Sequence, residues 1–177
     1  AWDRMITISG GLGTIEEFKA GGIDLLRDHA DDLPDELIYW VEDAYKRGYV
    51  DFHDDEVIRT EVFDQIQGAF QDYDLLLSPT LACHPVKNDA NRNTVGPSTI
   101  NGVKTEPLIG FCLTFFCNFT GNPAASIPVG LSEDGFPVGL QLIGNRYGER
   151  DLISASAAYE RVSPWTADYE VTKNRTL

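Results

Sequence analysis

The sequence predicts an α/β fold. Three observations carry that reading. Two helical stripes of apolar residues lie in the N-terminal half. Three short apolar runs of strand length follow residue 72. A last helical stripe stops before Pro164. Helices followed by buried strands and a closing helix make α/β layers. Three or four strands are too few for a self-contained sheet of that kind, so the chain reads as part of something larger.

The elements follow in order. The first thirty residues have no regular period. Gly10, Gly11 and Gly13 read as a turn, with a short helix over 15–20. Their spacing fits neither GxGxxG nor a P-loop. Residues 34–47 form a helix with Leu37, Trp40, Val41, Ala44 and Tyr45 on one stripe. Pro34 sits in its first turn, acids come early, Lys46 and Arg47 come late, and Gly48 ends it. Residues 55–70 repeat the pattern with Ile58, Val62, Ile66, Ala69 and Phe70, and each stripe is wide enough to pack on a sheet.

The period then changes. Residues 73–77 are a buried strand stopped by Ser78 and Pro79. Residues 80–106 are a long polar loop, of a length that in compact domains carries function or moves. Residues 108–119 are an apolar block whose length favours a helix. Residues 125–131 and 137–143 form a hairpin across Ser132, Glu133, Asp134 and Gly135. Residues 149–162 are a helix packing through Leu152, Ile153, Ala157 and Tyr159. Residues 166–177 read as a partly ordered extension.

Composition excludes several classes. Acids outnumber bases by 28 to 14, a net charge of −14, so no nucleic acid is expected as a direct partner. No apolar run reaches the length of a membrane span, and no membrane partner is expected. The acids are dispersed and not gathered in a tail. Disorder does not fit, because 3 Trp, 7 Tyr and 9 Phe accompany several apolar runs. Dispersed Asp with few Lys points to a halophilic source, where salt screens the self-repulsion. A cytoplasmic location is expected. Cys83, Cys112 and Cys117 form no CxxC, and His29, His53 and His84 are scattered, so neither a metal nor another cofactor is expected.

No catalytic engine is legible from spacing. GxSxG, SxxK and HExxH are all missing. Ser126 lies in an expected strand and reads as a small packing residue. Lys87 and Lys104 fall in polar loop sequence and read as solvated, whereas a catalytic lysine needs a desolvated site.

Three successive blocks are nevertheless specific. DYDLLLSPT occupies residues 72–80. GPSTINGVKTEPLIGFCLTFFCNFTGNPAASIPVGL occupies 96–131. DGFPVGLQLIG occupies 134–144, and a helix ending in YERVSPW closes at 165. In order and spacing these resemble the C-terminal part of the amidase signature family. The resemblance implies a mixed central β-sheet flanked by helices. It makes residues 1–177 the C-terminal portion of a single amidase domain, with the N-terminal catalytic core outside this chain. The strands at 73–77, 125–129 and 139–143 would belong to the central sheet. Gly130 and Gly139 would permit positive φ or close backbone approach, and Asn118 would tie a loop through its amide.

The family hydrolyses carboxamides to acid plus ammonia or amine with a Ser–cis-Ser–Lys triad and glycine-rich oxyanion donors. Those groups lie N-terminal to the matched region, so no catalytic residue is expected here and the chain alone is expected to be inactive. The resemblance turns the loop after Thr80 and the block before Asn118 toward the substrate pocket. It makes Phe111, and more weakly Thr80, substrate-binding residues. The expected partners are a small amide substrate and the N-terminal part of the same enzyme, with a homo-oligomer left open. The A subunits of glutamyl-tRNA and aspartyl-tRNA amidotransferases resemble this chain too. They carry an acid seven positions before the residue matching Asn118, where this chain has Phe111. That departure and the INGVKTEPLIG stretch favour a stand-alone amidase. A non-catalytic truncated module is the remaining alternative.

Overall fold

The computed structural model describes residues 1–88 and 94–166. Helices α1 (Trp2–Ile6) and α2 (Gly13–Ala20) run on through a π-helical segment, Thr7–Leu12. The glycines expected to make a turn therefore lie within a helical run. Packing overrides their poor helix propensity. A Cβ on Gly11 would lie 3.5 Å from Val41 Cγ2 on the later helix of residues 35–45. That is an ordinary contact distance, so the helical run and the later helix pack closely there, and Val41 is 0% exposed.

Helix α3 (Leu25–Asp28) starts at Asp24, whose carboxylate accepts the Arg27 N–H at 3.1 Å. Helix α4 (Asp35–Tyr45) follows Pro34 and buries Val41 and Ala44 from its expected stripe. Helix α5 (Tyr49–Ala69) begins at Tyr49 and not at 55. The reason is a cap: Asp51 accepts the Gly48 N–H at 2.8 Å, satisfying a backbone donor at the helix start. Asp55, the expected first residue, lies inside the helix and is buried. Arg4 Nε donates to its Oδ2 at 2.8 Å and its Oδ1 at 3.1 Å, which ties α1 to α5.

The long loop holds a small hairpin, β2 (Thr99–Ile100) and β3 (Val103–Lys104), following strand β1 (Leu75–Pro79). Asn101 and Gly102 turn it at φ 50° and 78°, the positive pair that a two-residue hairpin turn needs. The apolar block at 108–119 is helical only in α6 (Phe115–Thr120). Before it, Glu106 accepts the N–H groups of Leu108 and Ile109, both at 2.8 Å, and so caps a turn. The Leu113 N–H donates to the Thr80 carbonyl at 3.1 Å. Backbone groups engaged with another segment are not available to a helix.

Strands β4 (Ala124–Leu131) and β5 (Pro137–Gly144) pair as the expected hairpin. With β1 they form a three-stranded sheet of order β1-β5-β4, antiparallel throughout. Helix α7 (Glu149–Val162) covers one face. Its Leu152, Ala155 and Tyr159 pack with Ile127, Leu140 and Leu142, while Leu75, Ala125 and Val129 complete that core. A second, aromatic contact holds the N-terminal helix to α6. Trp2 meets Phe119 edge-on at 5.3 Å and Phe115 at 6.2 Å between ring centroids. Among the described residues no helix is long and apolar enough to cross a membrane. The extension expected over 166–177 lies, after Thr166, outside the described residues.

Candidate functional site

Strand parity gives the sheet two unlike faces. Leu140 and Leu142 point to α7. Gln141 points the other way, in register with Ser78 on β1 and Ser126 on β4. One row across three strands thus carries Ser78, Gln141 and Ser126. The Gln141 amide is 2% exposed and donates twice, to Ser78 Oγ at 2.8 Å and to the Leu113 carbonyl at 3.1 Å. It pins the segment before α6 onto the polar face.

Thr80 belongs to the same face. Its N–H donates to the Gly139 carbonyl at 3.0 Å, and its Oγ1 lies 2.7 Å from Ser126 Oγ. The two hydroxyls meet above Gly139. A Cβ there would lie 2.7 Å from Thr80 Oγ1 and 2.8 Å from Ser126 Oγ. Gly139 therefore serves close approach, whereas Gly130 serves positive φ, at 116°. Ser126, expected to pack, is exposed and exchanges a hydroxyl hydrogen bond.

Phe111 sits on the segment that pairs with Thr80. The Ala82 N–H donates to the Phe111 carbonyl at 2.8 Å, and Leu81 bridges Cys112. Thr80 and Phe111 are thus diagonal neighbours on one short antiparallel ladder. The Phe111 ring is 8% exposed, packed beneath Gly96, whose missing Cβ would lie 2.4 Å from the ring.

Between α6 and the polar sheet face lies a cleft of about 330 Å³. Thr114, Cys117, Asn118, Asn122, Ser126 and Gln141 line it. Phe111 and Thr80 are not among the residues that line it, although Thr80 bonds to the lining residue Ser126. Burial pushes the Cys117 thiol up, so it stays protonated and is no nucleophile. Among the described residues no carboxylate, lysine, arginine or histidine lines the cleft. Its hydroxyls and amides can donate to a carbonyl and accept from an N–H, which suits an uncharged carboxamide. Ser126 has a hydroxyl partner, and no described residue of the cleft is a base that could activate it as a nucleophile.

The loop tie expected of Asn118 falls to Asn122. Asn122 Nδ2 donates to the Gly144 carbonyl at 2.8 Å, and its Oδ1 accepts from Gln67 Nε2 at 3.1 Å. Asn118 is exposed and lines the cleft. Sequence reasoning missed Gln141. Its signal was a single amide within the apolar run of residues 137–144. Among the described residues no group of three or more His, Cys, Asp or Glu side chains is placed to hold a metal ion.

The amidase family model matches residues 38–153. The chain superposes on a bacterial aryl acylamidase of the amidase signature enzymes with a TM-score of 0.94. The two are 44% identical, and the match covers 99% of this chain and 36% of that one. An acylamidase from Rhodococcus erythropolis is 31% identical over 137 residues, 76% of this chain and 28% of the relative. The glutamyl-tRNA(Gln) amidotransferase of Streptococcus equi subsp. zooepidemicus (strain MGCS10565) has an A-type subunit that is 38% identical over 112 residues, 63% of this chain and 20% of the relative. The chain thus spans 20% to 36% of the length of these relatives.

Proposed function

Because the chain belongs to the amidase family, we propose that it is the C-terminal portion of an amidase and walls one side of the pocket for an uncharged amide. The reaction cleaves the carboxamide C–N bond with water, leaving a carboxylic acid and an amine or ammonia. The Ser–cis-Ser–Lys triad lies upstream, in an N-terminal part that is the partner of this chain. The observation that carries the reading is the cleft between α6 and the sheet, where Asn118 and Ser126 offer uncharged donors and acceptors and none of the described lining residues is charged.

Exposed apolar side chains support docking of such a partner. Leu77 is 62% exposed beside the buried Leu142, and Ile153 on α7 is 66% exposed. Covering them would gain roughly 25 cal/mol per Å². Phe111 and Thr80 shape the acyl side of the pocket. The likeness to an aryl acylamidase supports an aryl acylamide as the substrate. Cytoplasmic residence, a halophilic source and self-association as a homo-oligomer belong to the same proposal.

The test is complementation. The purified chain is assayed on an aryl acylamide, alone and mixed with the upstream part of its gene product. No turnover alone, and turnover on mixing, is the expected outcome. Serine-dependent turnover by the chain alone would sink the proposal.

A second reading, the amide-hydrolysing A component of a tRNA-dependent amidotransferase, has the 38% identity to the streptococcal protein in its favour. Glutamine brings an ammonium and a carboxylate, and among the described residues the cleft offers no counter-charge to either. The uncharged amide remains the better fit.

A further inference from the structure

A second cleft, of about 290 Å³, opens on the other side of α6 and shares Asn118 with the first. Two guanidinium groups line it, Arg59 from α5 and Arg146 from the turn after β5. Arg59 is engaged. Its Nε donates to the Phe119 carbonyl at 2.9 Å, and its Nη1 lies 3.4 Å from each Glu56 carboxylate oxygen.

Arg146 is held differently. Among the described residues no carboxylate pairs with it, although acids outnumber bases by 28 to 14 in the chain. Its guanidinium carbon lies 5.8 Å from the Phe63 ring centroid and 5.5 Å from that of Tyr147. Its Nη2 packs over Gly121, 3.7 Å from where a Cβ would stand. Tyr147 itself adopts φ 62°, a costly conformation for an aromatic residue. Two rings and a bare backbone thus flank the guanidinium, and among the described residues its N–H fork has no acidic partner.

We propose that this cleft binds a small carboxylate, anchored by Arg146 and supported by Arg59. The planar fork of Arg146 matches a carboxylate with two parallel hydrogen bonds. Contacts with Phe63, Tyr147 and Gly121 narrow the range of the exposed fork, so less freedom is lost on binding. The net charge of −14 repels anions from most of the surface, which leaves the two guanidiniums that line the cleft to supply the local attraction. Glu56 opposes binding, because its carboxylate lies beside Arg59, three residues earlier on α5, and lines the same cleft.

The experiment is an NMR titration of the isotope-labelled intact enzyme, this chain together with its upstream part, with sodium acetate, at ionic strength held constant with sodium chloride. The amides of Asn118, Gly121 and Tyr147 and the Arg146 Nε–H are followed. Saturable shifts at these groups are expected. Arg146→Gln weakens binding by about tenfold or more, Arg146→Lys weakens it less, and Glu56→Gln tightens it. Arg146 is exposed, so unchanged melting confirms that its variants fold. Linear shifts without saturation, or an unaltered response in Arg146→Gln, overturn the proposal. Inorganic phosphate is the second probe: tighter binding of phosphate than of acetate overturns the carboxylate assignment.

Discussion

Thr80 Oγ1 and Ser126 Oγ lie 2.7 Å apart across the central strand, directly above Gly139. Hydroxyls from two strands that do not pair with each other meet only because the strand between them has no side chain at that point. A polar face is thereby kept on a sheet whose other face is apolar core.

Gly139→Ala puts a Cβ within 2.8 Å of both hydroxyls and should destabilise the chain by about 2 kcal/mol. Removing Ser126 Oγ in the same molecule should relieve part of that cost. Urea denaturation of Gly139→Ala, Ser126→Ala and the double variant measures the coupling. Additive effects would show that the two sites do not touch.

Gln141→Met keeps the volume and removes both donated hydrogen bonds. The Leu113 carbonyl then loses the amide N–H, at a cost of about 1–3 kcal/mol. Hydrogen exchange should quicken at Leu113 more than in α7, because the tie acts on the segment before α6. Equal quickening in both places would point to general loosening.

Acid should weaken the link between α1 and α5. The hydrogen bonds from Arg4 hold the Asp55 carboxyl below its ordinary value of 3.8. A carboxyl depressed by folding contributes fully above its unfolded value. That contribution is lost as pH falls from about 3.8 through the depressed native value. Asp55→Asn should lower stability at pH 7 by about 2 kcal/mol and flatten the acid limb of a stability–pH curve. Parallel curves for the two proteins would remove the ion pair from the account.

Salt should stabilise the fold. The dispersed acids repel one another, and molar salt shortens the range of that repulsion to about 3 Å. Thermal melts at low and molar sodium chloride should show Tm rising with salt. A Tm that ignores salt leaves the halophilic source unsupported.

Phe111→Asp in the intact enzyme tests specificity. If Phe111 shapes the acyl side as proposed, exchanging its buried ring for a carboxylate disfavours an apolar acyl group and gives an ammonium a counter-charge. The ratio of kcat/KM for an aryl amide to that for glutamine should fall by about tenfold or more. Because the ring is packed under Gly96, Phe111→Leu serves as the packing control and should leave the ratio near its starting value. A ratio that Phe111→Asp does not move takes Phe111 out of the pocket.

Local pattern alone determined the α4 stripe, the β4–β5 hairpin and α7, since each is specified by a short period or a turn signal. The Asn101–Gly102 hairpin was equally legible and lay unused inside an expected loop. The family resemblance rested on three contiguous blocks, which need no structure to be read. Tertiary structure decided the rest. Gly10, Gly11 and Gly13 are helical because Val41 packs against Gly11, a contact no window of sequence contains. The block at 108–119 is only half helical, because the Leu113 backbone bonds to Thr80 and Gln141, far away in the chain. The cleft has the same origin. Gln141, Ser126 and Asn118 stand on three separate elements, and strand register with the placement of α6 brings them together. Side-chain chemistry is written in sequence, but its convergence depends on long-range backbone pairing, which local periodicity does not encode.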